Sequence, residues 1–203
     1  MNFDLVIKDL QKLADKEKTV ILARFFKTGK GQYGEGDIFL GITVPKQREV
    51  AQKYKGLTLS EVEGLLKSKI HEHRLTALLI LVAQFKKADE NTQKKIVDFY
   101  LKSTKYINNW DLVDLSANHI LGEYLLNPRH SGFRLKVFLP EGLTRIKKSK
   151  DSGVALAPQN DILERLARSQ NLWERRIAMI APFAFINKNE FKEALTIAGI
   201  LLN

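Results

Sequence analysis

LLKSKIHEHRLTALLIL (Leu65 to Leu81) and LARSQNLWERRIAMIA (Leu166 to Ala181) decide the fold of this chain. Each reads as a polar helix end, a short turn, and then Arg-x-x-Ala opening an apolar helix. In register, Ser68 falls on Ser169, Arg74 on Arg175 and Ala77 on Ala178. A third segment, NNWDLVDLSA, has the same layout, with Trp110 where the later copy has Trp173. Repeated helix pairs bury their apolar faces only against neighbouring pairs, so they stack and leave a long concave surface. The expectation is an all-α fold: a superhelical stack of antiparallel helix pairs (HEAT-like repeats, an α-solenoid) forming one domain over residues 1–203. A plain helical bundle with chance likeness between the segments is the alternative.

Outward from these copies, helical periodicity continues. Phe3, Val6, Leu10 and Leu13 step by three and four, and a second helix follows at about Lys18 to Phe26. The glycine-rich loop TGKGQYGEGDIFLGITV ends at Pro45, which suits the first position of a helix through Arg48, Val50, Ala51 and Tyr54. Thr58 or Ser60 can cap the next helix. HEHRLTALLILVAQF is apolar nearly all round beyond Arg74, which predicts a central helix. NNWDLVDLSANHILGEYLL starts at an Asn cap and runs to Pro128. The stretch from Asn127 to Asp161 is too long for a helix connection. It carries Arg129, Arg134, Lys136, Arg145, Lys147, Lys148 and Lys150, and reads as a long basic surface loop or a DNA-contacting arm.

Composition removes several classes of function. With 203 residues, 44% of them apolar, the chain can bury a sizeable core. Having no cysteine excludes a disulfide scaffold, a thiolate zinc site and a cysteine nucleophile. The longest apolar run, Ile177 to Ile186, is far short of the roughly 18 residues a bilayer span needs. MNFDLVIKDL has Asp4 and no basic region, unlike a signal peptide. A cytoplasmic, membrane-free protein is the expectation. A formal charge of +10 points to an anionic polymer, most often nucleic acid, or to solubility alone.

Among the motifs, GKGQYG (Gly29 to Gly34) matches the letters of a dinucleotide fingerprint but follows a helix and leads into more loop. That context excludes the nucleotide reading. His71 and His73 are two apart and point in different directions on a helix, so they do not predict a metal site. Trp110 and Asp114 are four apart and share a helix face. Asp111 falls in the first turn, where backbone N–H groups and the helix dipole stabilise a carboxylate. Asp114, between Val113 and Leu115, has no such reason to be there; it needs an Arg partner or a task. Trp173 and Arg176 are three apart, and an Arg beside an aromatic is suited to gripping a phosphate backbone.

The chain resembles the DNA alkylation repair glycosylases of the AlkD type, which are HEAT-like repeat enzymes. The resemblance rests on FFKTGKGQYGEGDIFLGITVPKQR (Phe25 to Arg48), HEHRLTALLIL, YINNWDLVDLSANHILGEYLL (Tyr106 to Leu126) and LARSQNLWERRIAMIAPFAFI (Leu166 to Ile186). It implies a monofunctional glycosylase that excises cationic N3- and N7-alkylated purines from double-stranded DNA, acting as a monomer without metal or cofactor. It makes Asp114 the catalytic aspartate and Trp110 the aromatic beside it. Arg176, or its neighbour Arg175, becomes the Arg facing the lesion strand, with Trp173 near it. Lys46 and Arg48 fall at the loop-to-helix junction near the DNA. The chain departs from the family in two ways. The basic stretch at 127–161 is longer than the family's, and a Lys-Ala-x-Gly-Trp-x-x-Arg helix pair expected beyond this point is not present before Asn203, which implies a truncated C-terminus.

The implied chemistry is self-consistent. An alkylated N7 carries a formal positive charge, so the base can leave without protonation. One anion near the sugar would stabilise the oxocarbenium-like transition state and place a water. Lysines and arginines would supply salt-sensitive, sequence-independent affinity. The alternatives are a non-catalytic HEAT-type module that binds nucleic acid, and a protein-binding scaffold.

Overall fold

α5 (His71–Phe85) is buried along almost its whole length, from His71 to Val82 and again at Phe85, and the other elements pack around it. The computed structural model describes residues 3–127 and 160–202; the basic stretch singled out above lies almost entirely outside them. Before α5 come α1 (Phe3–Lys12), α2 (Lys16–Phe25), α3 (Val44–Lys53) and α4 (Leu59–Leu66). After it come α6 (Glu90–Lys102), α7 (Trp110–Asp114), a π-helical turn (Asn118–Gly122) that runs into α8 (Glu123–Leu126), α9 (Asn160–Ala167), α10 (Leu172–Ile180), α11 (Phe183–Ile186) and α12 (Lys192–Leu202). α3 and α4 pack on α5 and on α1; α6, α7 and the π-turn also pack on α5; α10 joins α7 to α9 and α12. The fold is an all-helical solenoid in which each layer is buried by the next.

Local chemistry sets the ends of these elements. Thr58 caps α4 in a full capping box with Glu61. Asp15, Asp89 and Asn171 cap α2, α6 and α10 through their side chains. Pro45 stands in the first turn of α3, where a missing N–H costs nothing. The segment from Leu172 to Ile186 divides at Pro182 into α10 and α11. The glycine-rich loop is held from below by Glu72, whose carboxylate accepts the backbone N–H groups of Leu40, Gly41 and Ile42 at 2.8–3.2 Å. Gly41 has φ +83°, and a Cβ there would lie 2.1 Å from the Asp15 carbonyl oxygen, so only glycine fits. Ile38 and Ile70 form an isolated parallel bridge that ties the loop to the start of α5.

The register read from the sequence reappears in the hydrogen bonds. The Arg74 guanidinium donates to the Ser68 carbonyl at 3.1 Å, and Arg175 donates to the Ser169 carbonyl at 2.8 Å. Ser68 Oγ accepts from the Ile70 N–H, and Ser169 Oγ from the Asn171 N–H, both at 3.1 Å. The same Oγ atoms meet His73 and Glu174, which occupy equivalent positions. Two turns 101 residues apart by sequence number therefore share one bonding pattern.

His73 carries a stability consequence. It is almost fully buried, its Nε2 has no partner, and burial followed by the Arg74 charge pushes its pKa down to about 4. Between its ordinary value and that figure, the unfolded chain binds a proton the folded one refuses. This contribution is therefore complete above pH 6.5 and lost as pH falls toward 4. Chemical denaturation should show a loss of up to about 3 kcal/mol over that window, and a shallower pH slope in His73→Phe.

Candidate functional site at the α7–α10 groove

α7 is short for physical reasons. Asn109 starts it, its side chain accepting the Trp110 N–H at 2.8 Å. Ser116 ends it: this side chain bonds back to the Leu112 carbonyl and is itself held by Tyr100 at 2.9 Å. Such back-bonding competes with the helix ladder. The continuous helix expected from Asn109 to Pro128 is thus broken after Asp114, and the chain resumes as the π-turn at Asn118. Irregular turns of this kind are common at functional sites. Here the break leaves Asp114 as the last residue of α7.

Across the groove, α10 supplies Arg176. Its Nε donates to Asp114 Oδ1 at 2.8 Å and its Nη2 to Oδ2 at 2.7 Å, a two-pronged ion pair. The Asp114 hydrogen bonds raise the Arg176 pKa further. Asp114 is 32% exposed and Arg176 38%, so this pair sits at the groove surface. Asp114 thus has the Arg partner that the apolar flanks demanded, without being sealed in the interior. Gly122, at the end of the π-turn, lets that turn approach the end of α10: a Cβ there would fall 2.2 Å from the Ala181 carbonyl oxygen.

Beside the pair lies a cavity of about 510 Å³. Trp110, Trp173 and Tyr33 form aromatic walls, Arg175 and Arg176 supply positive charge, and Met179 adds to an apolar floor. Tyr33 and Trp173 meet edge to face at 6.3 Å. Trp110, Trp173, Arg175 and Arg176 are therefore brought together. Arg176, and not Arg175, meets Asp114; Arg175 donates to the Ser169 carbonyl. Lys46 and Arg48 stand exposed on α3, away from the cavity walls.

The sequence reading missed the support beneath Trp110. His71 Nδ1 lies 3.0 Å from Asp37 Oδ2, and His71 Nε2 lies 2.8 Å from Asp111 Oδ2. Carboxylates accept only, so both ring nitrogens donate and the ring is cationic. Burial opposes that charge, but the bonds the ring donates to Asp111 and Asp37 hold the His71 pKa above its ordinary value. Burial would likewise raise Asp37, yet His71, Arg74 and Asn109 bring it below the usual carboxylate range. Asp111 accepts its own helix-start bond from the Leu112 N–H, as its position predicts, and spends its other oxygen on His71. Among the described residues no group of three metal-ligating side chains stands together, and no helix is long and apolar enough to cross a membrane.

The sequence matches the family described as "DNA alkylation repair enzyme" over residues 6–137 and 148–203. The gap within the match, 138–147, falls inside the basic stretch. No curated protein and no solved structure matches.

Proposed function

Because this chain belongs to the DNA alkylation repair enzyme family, we propose that it is a monofunctional glycosylase excising cationic N3- and N7-alkylated purines from duplex DNA. The observation that carries this reading is the part-exposed Asp114 carboxylate, fixed by Arg176 beside an aromatic-walled, cationic cavity. In the proposed step the bond between C1′ and the purine nitrogen breaks, and its electron pair neutralises the charged base. Asp114 stabilises the cation left on the sugar. Water adds to C1′, and its proton passes to the carboxylate or to solvent. The Arg176 fork fixes the carboxylate rotamer, while each oxygen keeps a second lone pair. Trp110, one helical turn away, packs on the sugar-phosphate backbone. The HEAT-like stack acts as a monomer on double-stranded DNA in the cytoplasm.

The test is release of 7-methylguanine from alkylated duplex DNA by the purified protein. A second reading, a non-catalytic nucleic-acid-binding module, is favoured by the engagement of both Asp114 oxygens with Arg176. It predicts salt-sensitive binding and no released base. On either reading, Lys46 and Arg48 act as backbone contacts. Arg48→Ala and Lys46→Ala should each reduce the slope of log affinity against log salt by about 1, across all sequences alike, in a fluorescence-anisotropy titration.

A further inference from the structure

The proposed chemistry leaves the buried His71 without a task, yet three separate segments converge on it. Asp37 comes from the glycine-rich loop, His71 and Arg74 from α5, Asp111 from α7 and Asn109 from the cap before it. Two carboxylates, one imidazolium and one guanidinium balance in a site where every member is nearly inaccessible to water. The ring also belongs to an aromatic column. Phe39 stacks on His71 at 4.5 Å, Phe26 lies against it at 5.0 Å, and Phe26 stacks on Trp110 at 5.1 Å with the planes 15° apart. Phe25 closes on the Trp110 edge at 5.9 Å. Trp110 thus gets its plane from a column that His71 anchors.

We propose that His71 is a positioning residue of the groove: its cationic ring pins the glycine-rich loop to the first turn of α7 and, through Phe26, fixes Trp110 beside Asp114. The kinetic consequence rests on the glycosylase reading; the structural one does not. The charged groups facing the ring are Asp37 from the loop, Asp111 from α7 and Arg74 from its own helix, while Phe26 and Phe39 cover its faces. Loss of the ring proton leaves one carboxylate without its donor. The clamp is therefore complete while the ring keeps its proton against the two carboxylates, and loosens as pH rises through a value above 6.5.

Trp173→Phe leaves Trp110 as the sole tryptophan. In that background Trp110 emission should titrate with a midpoint above pH 6.5, and His71→Gln should abolish the titration. Because His71→Gln leaves two buried carboxylates against one cation, the charge-balanced double variant His71→Gln/Asp111→Asn is the kinetic test. It should keep the helical circular dichroism and bind undamaged DNA like the parent. Its kcat for 7-methylguanine release should fall about tenfold or more, with KM little changed and the alkaline limb of the pH profile lost. A Trp110 emission that does not titrate, or titrates equally in His71→Gln, overturns the proposal, as does a double variant with the parent's kcat and pH profile. If the parent releases no base, the glycosylase reading fails, and the clamp stands or falls on the Trp110 titration alone.

Discussion

Asp114→Asn is expected to lower the release of 7-methylguanine by about 10²–10³-fold while leaving the affinity for undamaged duplex intact or slightly raised. The two expectations have one cause. The substitution preserves shape but removes the negative charge that would face the developing sugar cation. It also removes a negative charge from the groove proposed to face DNA, so ground-state binding to a polyanion gains. The amide can still accept one of the two Arg176 bonds, but its NH₂ group opposes the other, which breaks the fork. Some of the freed guanidinium charge then becomes available to phosphate. Single-turnover release and anisotropy binding on the same duplex separate these effects. Equal release by the two proteins would remove Asp114 from the mechanism, and a parallel loss of binding and release would make the Asp114–Arg176 pair structural.

How far the sequence discloses this site depends on how far apart its parts are. Asn109 as a cap, and the Ser68–Arg74 and Ser169–Arg175 turns, involve partners six residues apart or fewer, and residue type with spacing is enough to read them. Trp110 and Trp173 could be placed on one groove because they open corresponding helices of a repeat. The Asp114–Arg176 pair spans 62 residues and could be posed only as a demand for an Arg, with none singled out. The His71 clamp left no such demand. Its partners lie 34 residues before and 40 residues after the ring, and Asp111 already had a sufficient explanation as a helix-start residue. The spacing of His71 and His73 argues against a metal site and points to nothing in its place, because an imidazole's charge follows from its neighbours and not from its position in a helix. The break after Asp114 was hidden as well. Ser116 is an ordinary helix residue until Tyr100, from α6, holds its hydroxyl.

The repeat supplies a control on this reasoning, since Arg74 and Arg175 occupy one position of it and make the same carbonyl bond. Arg74→Met should cost about 3–5 kcal/mol, because it strips a buried carboxylate of its guanidinium partner. Arg74 is 4% exposed, its Nη2 is bonded to Asp37 Oδ1, and the Asp37 side chain is 5% exposed. Arg175→Met should cost about 0.5–1.5 kcal/mol, the worth of one hydrogen bond, since it is only half-buried and leaves no buried acid unpaired. DNA affinity should respond in the opposite order. Arg175 lines the groove cavity and its loss should weaken binding, whereas Arg74, sealed behind the loop, should have no effect on binding wherever the variant remains folded. Urea midpoints and anisotropy titrations on the same two proteins measure both orders. Equal destabilisation by the two substitutions would mean that the shared carbonyl bond, and not the Asp37–His71–Asp111 network around Arg74, dominates the energetics of this turn. The clamp on Trp110 would then lack the rigidity its role requires.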